Sequence, residues 1–202
     1  MKIYNYVDKN VLDEIIQILD NDGLIIFPTD TVYGIACNSF SDNAIKKLFS
    51  AKKRSFDKPI CVLTNNIDKI NMVVDNISNV ERKLIDKYLP GNLTIVFNKK
   101  ENISNLLTAN KDTIGVRIPD CKIALKILSA YPNPLAVTSV NISGEKCGTT
   151  IDDFICDFKD KVDIIIDGGI LGDMPSTIVR VENNNINILR EGSLDITNKN
   201  EP

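Results

Sequence analysis

Residues 24–37 read Leu24-Ile25-Ile26-Phe27-Pro28-Thr29-Asp30-Thr31-Val32-Tyr33-Gly34-Ile35-Ala36-Cys37. The run opens with apolar residues over a strand's length, and such a run bounded by turn residues favours a buried strand over a helix. Pro28 cannot donate to a hydrogen-bond ladder, so we expect the sheet to give way there to a loop. In open α/β sheets, ligands bind at such strand ends. The predicted ligand-binding edge carries Thr29, Asp30, Thr31 and Tyr33.

Strands and helices alternate along the rest of the chain. Apolar residues at helical spacing predict helices over residues 8–22, 42–54, 67–72, 78–88, 121–130 and 150–158, with a weak helix near 104–107. Apolar runs and alternation predict strands over residues 24–28, 34–37, 59–63, 93–97, 113–119, 135–137, 162–166, 176–181 and 186–190. We expect Gly23 to end the first helix and Asp120 to cap the helix that follows it. This order predicts an α/β protein.

The length and composition bound the class of protein. The chain has 202 residues, of which 43% are hydrophobic, enough for one α/β domain that buries roughly 70% of its unfolded surface. We expect a single domain over 1–202, with its core at about 10–193 and a polar tail over 195–202 that frays. No apolar run approaches the roughly 20 residues that span a bilayer, and the amino terminus lacks a signal-peptide core. We therefore expect a cytoplasmic protein without a membrane partner.

Side-chain types exclude several chemistries. Histidine is absent, which removes Ser-His-Asp and Cys-His nucleophile systems and a base that titrates near neutrality. The five cysteines form no C-x-x-C pair, so we interpret Cys37 and Cys61 as reduced core residues and expect no zinc site. Phosphate-directed cations, hydroxyls and a substrate-borne magnesium ion remain, which indicates nucleotide chemistry. The net charge of −3 argues against a broad nucleic-acid surface but allows a local basic cleft.

Several cations stand where predicted elements end. Six cations occupy the thirteen positions from Lys46 to Lys58. The run is typical of a solvated helix end. Lys52 and Arg54, however, lie where the helical periodicity stops and the next strand is about to begin. This position makes them candidate ligand contacts. Arg117 shares a predicted strand face with Thr113. Because a buried arginine needs an anion, it lies at the surface or meets a carboxylate or a phosphate.

Hydroxyl and amide groups follow the predicted strand at 135–137, where the chain reads Thr138-Ser139-Val140-Asn141-Ile142-Ser143-Gly144. Small donors there could approach a phosphate, although an ordinary turn has the same composition. Arg190 is a further candidate anion contact. The chain has no Walker loop and no G-x-G-x-x-G.

Six motifs together resemble one family. They are Phe27-Pro28-Thr29-Asp30-Thr31-Val32-Tyr33-Gly34, Lys52-x-Arg54, Gly115-Val116-Arg117-Ile118-Pro119, Ser139-x-Asn141-x-Ser143-Gly144, Ser176-Thr177-Ile178 and Leu189-Arg190-x-Gly192. In this order and spacing, the chain is similar to the YrdC/Sua5 family of threonylcarbamoyl-AMP synthases over about residues 10–193. The resemblance implies a twisted mixed α/β sheet with flanking helices and a concave basic cavity, related to the DHBP synthase fold, in the short single-domain type.

The resemblance also implies a reaction. L-threonine, bicarbonate and ATP would give threonylcarbamoyl-adenylate and pyrophosphate, the first step of the threonylcarbamoyl adenosine modification of tRNA. Mg²⁺ would arrive on the ATP phosphates with no protein-bound metal. A separate transferase complex would pass the product to tRNA, and a direct tRNA contact is left open. The implied catalytic residues are Lys52 and Arg54. The implied threonine site is Thr31, Arg117, Ser139 and Ser176. The implied ATP site is Lys52, Arg54, Lys58, Thr113, Val137, Ser139, Asn141, Cys147 and Arg190.

The chain departs from the family pattern at a few positions. Leu63 stands where some relatives have histidine, Cys147 where many have serine, Val140 where alanine is usual, and Ser55 where proline is common. Two other readings remain. One is an RNA-binding module without catalysis, and the other is a carbamoyl-phosphate-handling relative, whose zinc-finger and acylphosphatase segments this sequence lacks.

Overall fold

The computed structural model describes residues 1–196. The strands are β1 (Lys2–Tyr4), β2 (Ile25–Pro28), β3 (Tyr33–Asn38), β4 (Cys61–Leu63), β5 (Leu93–Asn98), β6 (Thr113–Arg117), β7 (Leu135–Ser139), β8 (Ile164–Ile166), β9 (Thr177–Glu182) and β10 (Asn185–Arg190). The helices are α1 (Lys9–Asp20), α2 (Asp42–Ala51), α3 (Ile67–Val73), α4 (Asn79–Tyr88), α5 (Asn105–Thr108), α6 (Lys122–Ala130) and α7 (Ile155–Phe158), and a 3-10 turn covers Ile151–Asp153.

All the strands belong to one mixed sheet. Their order is β1-β8-β2-β3-β7-β4-β6-β5-β9-β10. The pairs β1/β8, β8/β2, β4/β6 and β5/β9 are parallel, and the other neighbours are antiparallel. The predicted mixed α/β sheet with flanking helices is therefore confirmed.

Alternating side chains along β2 feed two cores on opposite faces of the sheet. Ile25 and Phe27 join a cluster with residues of α1 and α6, whereas Ile26 joins the cluster that contains residues of α2. Helices α1 and α6 pack over β2 and β3. On the same face, β4, β6, β5 and β9 carry side chains that line a cavity. The site thus occupies the part of this face that helices leave uncovered.

Several elements differ from the predictions, among them the helix predicted over 42–54, which ends at Ala51. Strand β1 was not predicted, and its three residues pair in parallel with β8. Helix α6 has Cys121, not Asp120, at its N-cap, with no side-chain cap bond. At the end of α1 the left-handed residue is Asp22, with φ 59°, while the Gly23 N–H bonds to the Ile18 carbonyl. A side chain at Gly23 would meet Ile18 at 2.3 Å, so close approach explains this glycine.

The carboxyl-terminal part of the chain is ordered further than predicted. Leu194 and Ile196 pack against the core, so the prediction of a frayed tail is wrong at Ile196. Residues 197–202 of that predicted tail lie outside the described residues. No helix within residues 1–196 is long and apolar enough to cross a bilayer.

Candidate active site

A cavity of about 520 Å³ opens on the uncovered face of the sheet. Its floor follows the strand register. Leu63 pairs with Arg117 between β4 and β6, and Thr94, Ile178 and Arg190 pair in a row across β5, β9 and β10. All five side chains line the cavity.

Two glycines of the floor are closely packed by neighbouring side chains. A Cβ at Gly115 would meet the Cys61 Sγ at 3.0 Å and the Thr94 Cγ2 at 3.3 Å. A Cβ at Gly34 would meet the Val137 Cγ1 at 2.7 Å. The side chains of Cys61, Thr94 and Val137 therefore take the space that a larger residue at these positions would need.

Arg117 is buried and is paired with a carboxylate. Its guanidinium bonds to Asp30 Oδ1 at 2.6 Å, to Thr31 Oγ1 at 2.9 Å, to the Gly91 carbonyl at 2.8 Å and to Asn92 Oδ1 at 3.2 Å. Among the sequence-based alternatives, the structure selects the carboxylate. Four of the five N–H donors of a guanidinium are therefore engaged. This geometry leaves little room for a two-pronged clamp on a substrate carboxylate.

Thr31 accepts from Arg117 and also belongs to a directed chain of hydroxyl groups. Thr29 Oγ1 donates to the Val32 carbonyl at 2.6 Å, which uses its one proton. The 3.1 Å contact between Thr31 Oγ1 and Thr29 Oγ1 then requires Thr31 to donate. The Thr31 oxygen therefore keeps acceptor capacity for an N–H or O–H group of a ligand.

Lys52 lies behind the cavity and does not line it. It is 1% exposed, and its Nζ donates to the Ser139 carbonyl, to the Asn141 carbonyl at 2.7 Å and to Asn141 Oδ1 at 3.1 Å. Its own carbonyl accepts from the Ser143 N–H. Burial, with the nearby Arg54 charge, lowers the pKa of Lys52 to about 7. Lys52 thus joins the end of α2 to the loop after β7.

Asn141 and Cys147 also lie outside the cavity lining. The Asn141 Oδ1 accepts from Lys52 and from Ser139 Oγ, the latter at 2.7 Å. Its Nδ2 donates to the carbonyls of Ile142 and Glu145. The amide is therefore used within the loop, where it orients the Ser139 hydroxyl. The nearby Cys147 opposes the fall in the pKa of Lys52.

Arg54 lines the cavity and is held in place by two main-chain carbonyls. Its Nη2 donates to the Pro59 carbonyl at 2.9 Å, and its Nε donates to the Lys58 carbonyl at 3.2 Å. Burial lowers the pKa of Arg54. The same cavity is lined by three further charged residues, which are Asp57, Lys58 and Lys111. Lys111 was missed in the sequence, where its only signal was its place two residues before Thr113.

A β-bulge turns Arg190 toward the cavity. Ile188 pairs with Val179 and Arg190 pairs with Ile178, so Leu189 is an extra residue in β10. If Leu189 instead paired with Ile178 in a regular ladder, Arg190 would share the face of Ile188. In the observed register, the Arg190 Nη2 donates to the Ser176 carbonyl at 2.7 Å.

Most of the predicted site residues meet in this cavity. Those that line it are Thr31, Arg54, Lys58, Thr113, Arg117, Val137, Ser139, Ser176 and Arg190. Those that do not line it are Lys52, Asn141 and Cys147. Cys61, which was interpreted as a core residue, lines the cavity, so that interpretation is wrong. Burial raises the pKa of its thiol, and nearby arginines oppose that rise.

The chain belongs to the Sua5/YciO/YrdC family, whose model carries the description "Telomere recombination" and matches residues 17–192. The fold and the converging motifs described above agree with this assignment.

Individual relatives cover nearly the whole chain. A Methanocaldococcus jannaschii protein named putative threonylcarbamoyl-AMP synthase is 37% identical over 97% of this chain and 94% of its own length. The crystal structure of P. abyssi Sua5 complexed with L-threonine is 31% identical with a TM-score of 0.90. The match covers 96% of this chain and 57% of the Sua5 chain. The E. coli YciO structure, 23% identical with a TM-score of 0.86 over 96% of this chain and 95% of its own, shows the shared fold.

Proposed function

We propose that this protein is a nucleotidyltransferase that converts L-threonine, bicarbonate and ATP into threonylcarbamoyl-adenylate and pyrophosphate. The observation that carries the proposal is the convergence of Arg54, Arg117, Ser139 and Arg190 on one cavity. The relatives named threonylcarbamoyl-AMP synthase and the relative complexed with L-threonine support the choice of substrates.

The chemistry explains why such a cavity needs cations. The amine of threonine and bicarbonate must condense to a carbamate with loss of water, and the carbamate carboxylate then attacks the α-phosphorus of ATP and displaces pyrophosphate. The two reactants are both anions and repel each other. One unit charge pair at 4 Å is worth roughly 4 kcal/mol at an effective dielectric of about 20, so several cations are required. Position and electrostatics would supply the rate without a histidine base.

Parts of the cavity suit different substrates. Thr31 keeps an acceptor for the ammonium or hydroxyl group of threonine, and Arg117 retains one N–H for its carboxylate. Arg54, Lys58, Thr113 and Arg190 would bind the nucleotide. Lys52 and Asn141 would position Ser139 through their hydrogen bonds to it. The resemblance, by contrast, had assigned Lys52 a direct role with ATP.

Magnesium would enter with the nucleotide. Within residues 1–196, no three acidic, cysteine or histidine side chains come together as metal ligands, and Asp57 is the one carboxylate in the cavity lining. This donor set fits a metal ion held by phosphate oxygens better than one held by the protein. Mg²⁺ would neutralise phosphate charge as pyrophosphate leaves.

The product would be passed to tRNA by a separate transferase complex. An adenylate is an activated mixed anhydride that water hydrolyses, so a reaction that consumes it must follow. We propose that this step, like the location of the protein in the cytoplasm, follows the pattern of the threonylcarbamoyl-AMP synthases that the chain resembles.

The test is pyrophosphate release from purified protein with ATP, Mg²⁺, bicarbonate and L-threonine. We expect release that requires both threonine and bicarbonate, with the adenylate detected by mass spectrometry. Release that is independent of threonine would overturn the proposal. Tight, steeply salt-dependent tRNA binding that ignores ATP and threonine, with no turnover, would favour the RNA-binding alternative.

A further inference from the structure

The cavity lining includes a cation, Lys111, that belongs neither to the motifs nor to the implied ATP site. Lys111 is exposed and lines the same cavity as Arg54 and Lys58. It forms no ion pair with any carboxylate among residues 1–196. An exposed ammonium group with no carboxylate partner in this part of the chain can pair with an anion that enters the cavity.

The charge balance of the cavity shows why this residue matters. The other lining cations are Arg54, Lys58, Arg117 and Arg190. Asp57 lies in the same lining, and Asp30 neutralises Arg117 at 2.6 Å. Four cations against two carboxylates leave a net charge of +2, and Lys111 raises it to +3. It therefore supplies a third of the net positive charge that faces a polyanionic ligand.

The backbone before Lys111 makes an unusual turn. Helix α5 ends in two consecutive left-handed residues, Ala109 with φ 53° and Asn110 with φ 59°. Left-handed backbone is unfavourable for alanine, and residues kept in such regions cluster at functional sites. The turn reverses the chain after α5, where the Lys111 N–H bonds to the Thr108 carbonyl. Lys111 is thus placed directly before β6, whose side chains form the cavity floor.

The same turn is tied to the segment that carries the predicted phosphate contacts. The Ile60 N–H donates to the Leu107 carbonyl at 2.9 Å, and α5 packs against α2. A main-chain hydrogen bond therefore joins the segment that follows Lys58 to the helix that precedes Lys111. Backbone that is already fixed loses less freedom on binding than a mobile loop does.

We propose that Lys111 is a further phosphate-binding residue, which together with Arg54 and Lys58 contacts the β- and γ-phosphates of the nucleotide and the pyrophosphate product. The inference rests on the proposed function for the identity of the nucleotide. The binding chemistry requires only a polyphosphate anion, so it is testable without turnover.

The experiment is calorimetric titration of the full chain with magnesium pyrophosphate, ATP and AMP. Lys111→Ala should weaken pyrophosphate and ATP binding about fivefold, as loss of one partly exposed charge contact does. Lys111→Glu should weaken them further, and Lys111→Arg should retain them. AMP, which lacks the β- and γ-phosphates, should bind all variants equally. Lys83→Ala and Lys83→Glu are the matched controls, because Lys83 is exposed on α4.

The outcomes separate this inference from the proposed function. Equal pyrophosphate affinity for wild type, Lys111→Ala and Lys111→Glu would overturn the role of Lys111, even if threonine-dependent turnover is observed. Equal losses at Lys83 would do the same, since they would show a nonspecific charge effect. If the wild type binds pyrophosphate through Lys111 but releases none from ATP with threonine, the proposed function fails and the phosphate contact stands.

Discussion

Arg117 and Asp30 form an ion pair of 2.6 Å beneath the cavity, with side chains that are 6% and 12% exposed. Removal of one partner leaves a buried charge without compensation. We predict that Asp30→Ala lowers the free energy of unfolding by about 3–5 kcal/mol. Urea denaturation followed by circular dichroism measures this loss.

The matched control is Asp86→Ala, whose partner Arg82 lies on the exposed surface of α4. That pair should contribute less than about 1 kcal/mol. Similar losses for the two variants would mean that Asp30 has no special role in holding Arg117.

Lys52 should make stability depend on pH in the alkaline range. Its pKa is about 7 in the folded protein, below the ordinary value of 10.5. Between these values the unfolded chain binds more protons, so the contribution of Lys52 to the free energy of unfolding rises with pH, by at most ~1.4 kcal/mol per pH unit. Below pH 7 the cost of burying the charge is complete.

The measurement is the difference in unfolding free energy between wild type and Lys52→Met from pH 6 to pH 10. We expect wild type to gain relative to the variant above pH 7, whereas a flat difference would contradict the lowered pKa. Because Lys52 joins two segments, its replacement by alanine should reduce stability as well as turnover.

Arg54 should matter for turnover more than for stability. Its guanidinium lines the cavity and is held by two main-chain carbonyls. We predict that Arg54→Ala reduces threonine-dependent pyrophosphate release about 100-fold or more, as loss of a fixed electrostatic contact does. The control is Lys53→Ala, which removes an adjacent exposed cation. Equal activity of the two variants would exclude Arg54 from the site.

Deletion of Leu189 should remove the bulge in β10 and leave Arg190 in place. Without the extra residue, Arg190 follows Ile188 directly and keeps its pairing with Ile178 on the cavity face. We predict that the deletion variant retains ATP binding, whereas Arg190→Ala weakens it. Calorimetric titration with ATP compares the two variants, and a loss of affinity in the deletion variant as large as that of Arg190→Ala would contradict this account of the register.

Much of the fold could be predicted because its signals are local. The apolar run before Pro28 ends where β2 ends, and alternation along β6 placed Thr113 and Arg117 on the cavity face. The order of the strands could not be derived from such signals. Neighbours such as β5 and β9 are far apart in sequence, so their pairing depends on tertiary contacts.

The motifs indicated which residues belong to the site, but the sequence did not show which side chains contact one another. Nothing near Arg117 in sequence identifies Asp30, which lies 87 residues away, as its partner. Lysine is rarely buried, so composition predicts an exposed Lys52, and only the carbonyls of the loop after β7 explain its burial. The roles assigned to these residues by resemblance stay predictions.

The strand order has a consequence for the newly made chain. The cavity floor includes side chains of β9 and β10, and β9 pairs with β5, whose residues are synthesised about 80 positions earlier. Such distant pairings slow folding, and synthesis proceeds from the amino terminus. Arg190 can reach the floor only after residue 190 has left the ribosome, so a shorter nascent fragment would present an incomplete cavity.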